Sequence, residues 1–385
     1  MLMMERALKG SRRYWTWVAC LLCVIAMGGW FYLRQLDQGL GITGLSRDVS
    51  WGLYIAQFTF FVGVAASAVM VVLPYYLHDE RDFGRITILG EFLAIAAVVM
   101  CVLFIMVDLG QPARLFNIVL YPSPRSLMFW DMISLSGYLL LNAIVAFATL
   151  RAESEEIHVG RWVKMVALLS IPWAISIHTV TAFLYSGLAG RSFWMTAILA
   201  PRFLASAFSS GPALLILLCL ALRSFGGYDA GEEAIRKLSI IMTYAMAINV
   251  FFVLVETFTV LYAKIPEHIE HFEFLYTNGA GEFGLAPWMW ISAACAVAAL
   301  AILFTPAWRN RMLPLSCVLV FVSLWLEKGL GLIVSGFEPS QLGVVTRYVP
   351  TLPEWGIVLG IWAAGAMLIT VFYKITLSVR KEVGS

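Results

Sequence analysis

Long apolar segments separated by short polar ones recur along the whole chain. Each of ten windows has about 19 residues or more and is nearly free of charge, which is the length that an α-helix needs to cross a bilayer. Membrane-barrel strands would be about ten residues long with alternating polarity, and that alternation does not occur in the sequence. The pattern predicts an all-α polytopic membrane protein, with residues 1–385 as a single integral membrane domain. The predicted spans are residues 14–33, 50–73, 86–108, 129–150, 163–185, 200–222, 236–262, 286–305, 313–335 and 355–377.

The composition agrees with this class. Hydrophobic residues make up 61% of the chain and charged residues only 13%, whereas charged residues are about a quarter of a soluble protein. The net charge of +2 forms no basic stripe outside the membrane flanks, so a nucleic-acid partner is not expected. The six cysteines all lie inside apolar windows and predict neither a disulfide framework nor a metal site.

The distribution of Lys and Arg predicts the orientation. Most of these residues lie at the two termini and in the loops on the same side as the termini, which predicts that both termini are cytoplasmic and that the protein lies in the cytoplasmic (inner) membrane. The first span has a basic flank but no A-x-A site, so it is expected to be a retained helix. The basic residues that flank this span are Arg6, Lys9, Arg12 and Arg13.

The segment Asp108–Asp131, DLGQPARLFNIVLYPSPRSLMFWD, is called the hairpin below. It joins the third and fourth spans, begins and ends with a carboxylate, and carries Arg114 and Arg125. Ionisable groups at such a depth are costly unless they are paired or functional. The hairpin is therefore predicted to be a shaped site on the outer side of the membrane. Residues that restrict its backbone are Gly110, Pro112, Pro122 and Pro124.

Polar residues inside the spans fall mainly in the outer half of the membrane, if each residue advances about 1.5 Å along its helix. This convergence predicts a binding site with proton transfer. The alternative is a structural network, in which Glu256 or Glu327 pairs with Lys328 and Asp108 pairs with Arg114. Glu91 alone among the embedded carboxylates lies toward the cytoplasmic side, where it predicts a possible proton path. The residues in the outer half are Tyr54, Gln57, Asp108, Trp130, Asp131, His178, Glu256 and Glu327.

The kind of ligand follows from the donors. Haem b held by helices usually takes two intramembrane histidines, and His178 is the only histidine in a predicted span. A quinone fits better, because its ring needs an apolar, aromatic pocket and its oxygens need donors such as His, Tyr or Gln, while carboxylates take up protons. With no haem or iron–sulfur cluster expected in this chain, and no metal ligands, a redox partner is expected at the outer surface.

The longer outward loops, 263–285 and 336–354, are either ordinary solvated loops or a docking surface for such a partner. The first of them is acidic and includes Glu282.

Three rival functions remain open. The protein could be a secondary transporter, for which Pro172 is the candidate mid-span irregularity. It could also be a proton-translocating subunit that uses Glu91, or a purely structural anchor.

Three segments resemble one known family. The hairpin, WGLYIAQFTFFVGVAASA (Trp51–Ala68) and the stretch Ser176–Leu215 are similar to the NrfD/PsrC membrane subunits of polysulfide-reductase-type complexes. Likeness over most of the chain is strongest to the DsrP branch, which belongs to the DsrMKJOP complex associated with dissimilatory sulfite reduction. The hydrogenase-associated HybB branch is the alternative.

The resemblance implies a pair of four-helix bundles with extra helices, and a menaquinone site near the outer face. Such a subunit is not catalytic alone. Implied partners are a periplasmic-side ferredoxin-like iron–sulfur subunit (DsrO-like), a multihaem cytochrome c (DsrJ-like), a haem b membrane subunit (DsrM-like) and its cytoplasmic iron–sulfur partner (DsrK-like). The family's quinone pocket corresponds here to Tyr54, Gln57, Asp108, Gln111, Arg114, Asp131 and His178, while Trp130 is expected to wall the ring and Glu256 to relay protons.

Overall fold

The computed structural model describes residues 10–277, 284–338, 340 and 346–383. Arg6, Lys9 and Glu282 lie outside these residues. Within the described residues the chain is helical without strands, and ten helices are long and apolar enough to cross a membrane, as predicted. They are α1 Arg12–Gln38, α2 Leu53–Leu77, α3 Arg81–Asp108, α4 Leu127–Ser154, α5 Arg161–Ser186, α6 Leu199–Gly226, α7 Glu232–Ala263, α8 Ala286–Phe304, α9 Pro306–Ser335 and α10 Leu352–Arg380.

The helices form two four-helix bundles and a separate pair. Helices α2, α3, α4 and α5 pack on one another as the first bundle, and α6, α7, α8 and α9 as the second. Helix α2 also packs against α6 and α9, and α5 packs against α6, so these contacts join the bundles. Helices α1 and α10 pack together and lie against α3. The expected pair of four-helix bundles with extra helices is therefore confirmed.

Local sequence signals set several helix ends. The Ser11 side chain accepts a hydrogen bond from the Tyr14 backbone N–H and caps the start of α1. Gly227 follows the end of α6 with φ of +64°, a conformation that favours glycine and terminates helices. Two carboxylates, Glu232 and Glu233, lie in the first turn of α7, where they face the positive end of the helix dipole.

Helix α2 is enclosed on all sides, and it is interrupted near its middle. Its regular part Leu53–Ala65 ends in a turn, after which Val69–Val72 resumes the helix. The Tyr138 hydroxyl donates to the Ala65 carbonyl at 3.2 Å, and Ser67 Oγ donates to the Gly90 carbonyl at 3.1 Å. An interrupted helix is tolerated inside a membrane when neighbouring side chains bind the freed backbone groups, as Tyr138 does at this turn.

Helix α9 carries the second irregularity, the π-helical segment Trp325–Gly331, which includes Glu327 and Lys328. Pro172, the predicted irregularity, lies within the continuous helix α5. The mid-span irregularity that a secondary transporter would need is therefore not found at Pro172. π-helical turns are frequent at functional sites, because they reorient the side chains that they carry.

The end of the molecule that carries the hairpin is called the hairpin face, and the other end the opposite face. The helix Pro266–Tyr276, called the connecting helix, joins α7 to α8 at the hairpin face. Loop segments tie this face together. Glu354 accepts hydrogen bonds from the Gly44 and Thr351 backbone N–H groups, each at 2.8 Å, and from the Tyr348 hydroxyl at 2.7 Å.

Candidate functional site

A buried polar group lies in the first bundle between α4 and α5. Thr181 Oγ1 lies 2.6 Å from Asp131 Oδ1 and 2.7 Å from the Ile177 carbonyl, so its one hydroxyl proton is shared between the two acceptors. Thr181 follows His178 by three residues on α5, so the two side chains share one helix face. Thr181, Asp131 and His178 are buried. Asp131 and His178, which were predicted to converge, therefore lie on facing sides of one helix pair.

The imidazole of His178 is the least satisfied polar group of this cluster. The residue is 0% exposed, and neither ring nitrogen has a hydrogen-bond partner among the described residues. Buried polar atoms in native proteins are almost always hydrogen-bonded, since an unpaired one costs about 1–3 kcal/mol. An imidazole in this position is thus suited to hydrogen-bond a bound molecule.

Aromatic side chains lie above His178 toward the hairpin face. Tyr185, seven residues further along the same face of α5, shares a hydrogen bond of 2.5 Å with Thr59 of α2. Its ring contacts Trp194, with ring centroids 5.2 Å apart, and Trp51, with centroids 5.9 Å apart. The surroundings of the His178 face are therefore apolar and aromatic, with few polar atoms.

Gln57 lies on the other side of α2. Its Oε1 accepts hydrogen bonds from two indoles, Trp325 Nε1 at 2.9 Å and Trp362 Nε1 at 3.1 Å, while its Nε2 has no partner in the described part of the chain. Thr59 is two residues later and thus about 200° further round the helix. Gln57 therefore faces α9 and α10, away from α5 and His178.

Tyr54 and Asp108 belong to the same side as Gln57. The Tyr54 hydroxyl donates to Gln35 Oε1 at 2.7 Å, and Gln35 Nε2 donates to the Val107 carbonyl at 2.6 Å, so α1, α2 and α3 are joined beside Asp108. Asp108 Oδ1 is buried and has no hydrogen-bond partner among the described residues. The predicted site residues are thus divided between two sides of α2.

The remaining predicted hairpin residues are exposed. Gln111 and Arg114 lie on the surface, and Trp130 is 46% exposed, with its Nε1 donating to the Pro124 carbonyl at 2.8 Å. No ion pair joins Asp108 to Arg114 in the described part of the chain. The structure does not bring these three residues to the buried cluster, and the alternative of an Asp108–Arg114 pair is wrong.

A charged cluster occupies the second bundle. Arg202 of α6 donates to Glu256 of α7 and to Glu327 of α9. The alternative in which these carboxylates pair with Lys328 is therefore wrong. Arg202 was missed because it lies at the start of a span and was counted with the outer loops; an Arg directly after Pro201, inside an apolar window, was the available signal.

A pocket with about 290 Å³ of space between atoms, part of it open to solvent, lies beside this cluster. Arg202, Glu256 and Glu327 line it, and Glu327 Oε2 is buried without a partner among the described residues. Glu256 therefore belongs to a site separate from that of His178. The apolar and aromatic lining includes Phe193, Phe272, Tyr276, Met289 and Leu332.

Lys328 points in a different direction from Glu327. It is 3% exposed, its Nζ donates at 3.5 Å to the Phe203 carbonyl, and it lies 4.3 Å from the centroid of the Phe203 ring. A Cβ atom on Gly63 of α2 would be 3.2 Å from this Nζ. The ammonium group therefore lies where the two bundles meet.

Glu91 is isolated from the other candidates. It is buried in α3, and both carboxylate oxygens lack partners within the described residues. Seventeen residues separate it from Asp108 on the same helix, a distance of about 25 Å. The structure thus places Glu91 toward the opposite face, as predicted from its depth.

Titratable groups at the hairpin face lie in the loops outside the spans. His271 shares hydrogen bonds with the Glu338 carbonyl at 3.1 Å and with Ser192 Oγ at 3.2 Å, and burial lowers the pKa of His271. Burial also raises the pKa of Glu338 to about 7, although its Oε1 accepts a hydrogen bond from the Tyr348 N–H. The hydrogen bonds of His271 and Glu338 therefore join the connecting helix to the loop before α10.

Groups of three His, Cys, Asp or Glu side chains close enough to hold a metal ion are absent from residues 10–277, 284–338, 340 and 346–383.

Comparison with known proteins connects this architecture to a family. The family model described as "Polysulphide reductase, NrfD" matches residues 41–335. The Hdr-like menaquinol oxidoreductase integral membrane subunit of Archaeoglobus fulgidus is 24% identical, with 95% of this chain and 93% of that protein covered. A subunit of the selenate reductase of Mesobacillus selenatarsenatis is also 24% identical, over 89% and 91%. The menaquinone reductase integral membrane subunit of Nitratidesulfovibrio vulgaris is 21% identical, over 94% and 91%.

Proposed function

Because the chain belongs to the NrfD family of polysulphide reductase membrane proteins, we propose that it is the quinone-reactive integral membrane subunit of a respiratory redox complex. It exchanges electrons between menaquinone or menaquinol and an iron–sulfur subunit docked on the hairpin face. Two relatives support the quinone assignment, since their names are menaquinol oxidoreductase and menaquinone reductase integral membrane subunits.

The buried imidazole of His178, which has no hydrogen-bond partner among the described residues, carries this proposal. A quinone presents two carbonyl oxygens on an apolar ring, and the His178 face offers a hydrogen-bonding imidazole among aromatic side chains. Asp131 lies within the same cluster through its bond to Thr181. A metal ion or a charged ligand would lose its hydration in these apolar surroundings without compensation. A quinone can accept a hydrogen bond from His178 and pack its ring against the aromatic side chains.

Roles of the residues follow from their positions. Menaquinone, when bound, supplies two-electron chemistry coupled to two protons. His178 would hydrogen-bond one quinone oxygen, and Asp131, held by Thr181, would take up a proton next to it. Gln57 Nε2 and Asp108 Oδ1, on the other side of α2, have no hydrogen-bond partner among the described residues, which leaves them available to a second part of the ligand site or to water.

The complex and its orientation belong to the proposal. The hairpin face is periplasmic, both termini are cytoplasmic, and the membrane is the cytoplasmic membrane, in accord with the distribution of Lys and Arg. The partners are those of the DsrP-like branch: DsrO-like, DsrJ-like, DsrM-like and DsrK-like subunits in sulfite or sulfate respiration. A HybB-like hydrogenase complex is the alternative assembly.

The test uses the intact complex purified from its source. Reduced menaquinone analogue should reduce the iron–sulfur clusters, or oxidised analogue should reoxidise them. His178→Ala should lower that rate by about 10²-fold or more, the typical contribution of a positioned acid or base. His158→Ala is the control, because His158 is exposed in the loop before α5. The proposal is wrong if the wild-type complex shows no quinone-linked cluster chemistry, or if both variants behave alike.

Proton translocation is the second candidate function, and Glu91 is the observation that favours it. Its carboxylate is buried and unpartnered among the described residues. It follows Gly90, whose carbonyl binds Ser67 in the interruption of α2. Proton uptake by liposomes containing the complex should fall in Glu91→Gln while cluster oxidation continues. Unchanged uptake would leave Glu91 as a structural group and would contradict proton translocation through it.

Secondary transport is less well supported. Transporter folds place interrupted helices at corresponding positions of their repeats. Here the irregular helices are α2, the first helix of its bundle, and α9, the last helix of the other. These positions do not correspond.

A further inference from the structure

The pocket beside Arg202 carries more negative charge than its guanidinium group balances. The charged side chains that line the pocket are Arg202, Glu256 and Glu327, which are one cation and two carboxylates. Arg202 donates to one oxygen of each carboxylate. A buried charge without compensation is strongly unfavourable in a region of low dielectric. The pocket is therefore expected to take up a positive charge or a proton.

The oxygen that remains for a ligand is Glu327 Oε2. Glu327 is only 7% exposed, and this atom has no hydrogen-bond partner among the described residues. The neighbouring Lys328 does not bind it, because the Lys328 ammonium donates to the Phe203 carbonyl and covers the Phe203 ring. Buried polar atoms are almost always hydrogen-bonded. Glu327 Oε2 therefore needs a hydrogen-bond donor from outside the described residues.

Three aromatic rings line the pocket in succession. The ring centroids of Phe193 and Phe272 are 6.0 Å apart, and those of Phe272 and Tyr276 are 6.2 Å apart. The face of an aromatic ring attracts a cation, and the attraction is stronger where water is excluded. The aromatic walls and the free carboxylate oxygen together therefore suit a cation that also carries hydrogen-bond donors.

The donor set separates the possible ligands. A metal ion such as Mg²⁺ or Ca²⁺ needs about six or more oxygen ligands, whereas the pocket offers one carboxylate oxygen without a partner among the described residues. A neutral hydroxyl group would satisfy that oxygen but would leave the negative charge. A quaternary ammonium would balance the charge but has no N–H donor. A primary ammonium does both.

The pocket borders the lipid-facing side of α7. Val253 and Thr257 of α7 line it on a side that is called the mouth below, and their neighbours Leu254 and Phe258 are 62% and 65% exposed. Helix α7 has 32 residues and is about 48 Å long, so about 9 Å extends beyond each side of the hydrocarbon core if the helix is centred in the bilayer. Glu256 lies about 10 Å from the end of α7. The pocket is therefore near the boundary between hydrocarbon and lipid head groups.

We propose that this pocket binds a primary ammonium group, which donates to Glu327 Oε2 and places its charge among the aromatic rings. The lipid-facing mouth favours the head group of an aminophospholipid, such as phosphatidylethanolamine, as the source of the ammonium. A small amine in solution has the same chemistry. The bound ammonium balances the charge of the cluster that joins α6, α7 and α9. The inference is independent of the proposed quinone function, because its residues lie outside the His178 site.

The test measures the melting temperature of this subunit in the intact complex, delipidated and kept in detergent. Saturating methylammonium chloride should raise the melting temperature by about 2 °C or more, whereas sodium chloride and tetramethylammonium chloride at the same concentration should raise it less. Glu327→Gln keeps the shape of the side chain, removes its charge and should abolish the methylammonium effect. Glu267→Gln is the control, because Glu267 is exposed on the connecting helix.

A second pair of variants leaves the charged cluster intact. Thr257→Trp fills the mouth, and Thr259→Trp places the same side chain on the exposed side of α7. The two threonines are matched, because each hydroxyl donates to a carbonyl of its own helix at 2.8 Å. Methylammonium should stabilise Thr259→Trp as it does the wild type, and it should not stabilise Thr257→Trp. If Glu327→Gln does not assemble, this pair gives the decision.

Reconstitution into lipid nanodiscs distinguishes the two sources of the ammonium. The wild type should melt at a higher temperature in phosphatidylethanolamine than in phosphatidylcholine, and methylammonium should add stability only in phosphatidylcholine. An equal methylammonium effect in both lipids would assign the site to a small amine from solution.

Two results would overturn the proposal. The first is a wild type that methylammonium does not stabilise in detergent, as expected if Glu327 is neutralised by a proton alone. The second is an equal methylammonium effect on the wild type, Glu327→Gln and Thr257→Trp, because the stabilisation would then come from another part of the complex. Neither result depends on quinone-linked activity, so the proposed function is tested separately.

Discussion

Thr181 Oγ1 and Asp131 Oδ1 lie 2.6 Å apart and form the hydrogen bond that joins α5 to α4 inside the first bundle. The bond fixes a buried carboxylate one helical turn from His178. Its donor is a short β-branched side chain with few rotamers, so the carboxylate is held in one orientation. The pair therefore links the stability of the first bundle to the geometry of the candidate site.

Replacing Thr181 with Val should expose this link. The change keeps the shape of the side chain and removes the donor, which leaves a buried carboxylate oxygen unsatisfied at a cost of about 1–3 kcal/mol. The melting temperature of the detergent-solubilised protein should fall, and quinone-linked cluster reduction should slow. Thr179→Val is the matched control, because Thr179 donates within its own helix to the Ile175 carbonyl at 2.9 Å. Equal effects of the two changes would contradict the role of the Asp131 bond.

Gln57 offers a test that separates structure from ligand binding. Gln57→Leu should lower the melting temperature, because it removes the acceptor of the Trp325 and Trp362 indoles. Gln57→Glu keeps an acceptor for both indoles and, when ionised, lacks the Nε2 donor, which has no partner among the described residues. If that donor contacts the quinone, Gln57→Glu should raise the quinone KM by about tenfold, the loss of one hydrogen bond, with a smaller change in melting temperature. An unchanged KM would assign Gln57 a packing role alone.

Arg202 should be essential to the fold of the second bundle. Arg202→Met leaves Glu256 and Glu327 without their shared cation, and loss of one partner of a buried ion pair costs about 3–5 kcal/mol. We expect a large fall in melting temperature, partly restored when both carboxylates are changed to Gln. Arg223→Met is the control, because the Arg223–Glu232 pair is exposed. A melting temperature like that of the control would contradict a structural role for the Arg202 ion pairs.

The stability of the hairpin face should depend on pH through Glu338. Burial raises the pKa of Glu338 from 4.5 to about 7 in the folded protein. Because the folded pKa is the higher one, the contribution of the protonated group is fully present below about pH 4.5 and is lost as the pH rises through about 7. His271, Tyr348 and Arg191 are the titratable groups of the loops around it.

Melting curves between pH 4.5 and pH 8 would measure this dependence. The wild-type melting temperature should decline across that range, and the decline should be smaller in Glu338→Gln, whose side chain cannot ionise. Glu267→Gln, exposed on the connecting helix, is the control. The same slope in all three proteins would show that other groups produce the pH dependence.

The ten spans could be predicted because each is a continuous apolar run, and the contacts of adjacent helices follow from short loops. The depth of each residue along its helix could also be predicted, because each residue advances the helix by a fixed rise. Depth therefore placed Asp131 and His178 at one level, where the structure joins them through Thr181. The pair of four-helix bundles came instead from the family resemblance, and the packing of α1 on α10 was not predicted.

Rotation about the helix axis could not be predicted for α2. A helix buried on all sides has no polar stripe to indicate which neighbour each residue faces. Tyr54 and Gln57 were therefore grouped with His178, although they face α1, α9 and α10. The π-helical segment of α9 was not predicted either, because an apolar run carries no signal for a local change in backbone hydrogen bonding.

The pairing of α1 with α10 provides a test in which two neighbouring glycines give opposite results. A Cβ on Gly28 would lie 2.6 Å from Gly360 Cα, and a Cβ on Gly29 would meet nothing within 4 Å. Small residues let membrane helices approach closely, and a backbone contact cannot yield as a flexible side chain can.

Gly28→Val should therefore separate the two helices and cost about 1–3 kcal/mol, as overpacking usually does. Gly29→Val, one residue away and at the same depth, should leave the melting temperature nearly unchanged. If the two variants have the same melting temperature, the close approach of Gly28 and Gly360 does not hold α1 on the bundle.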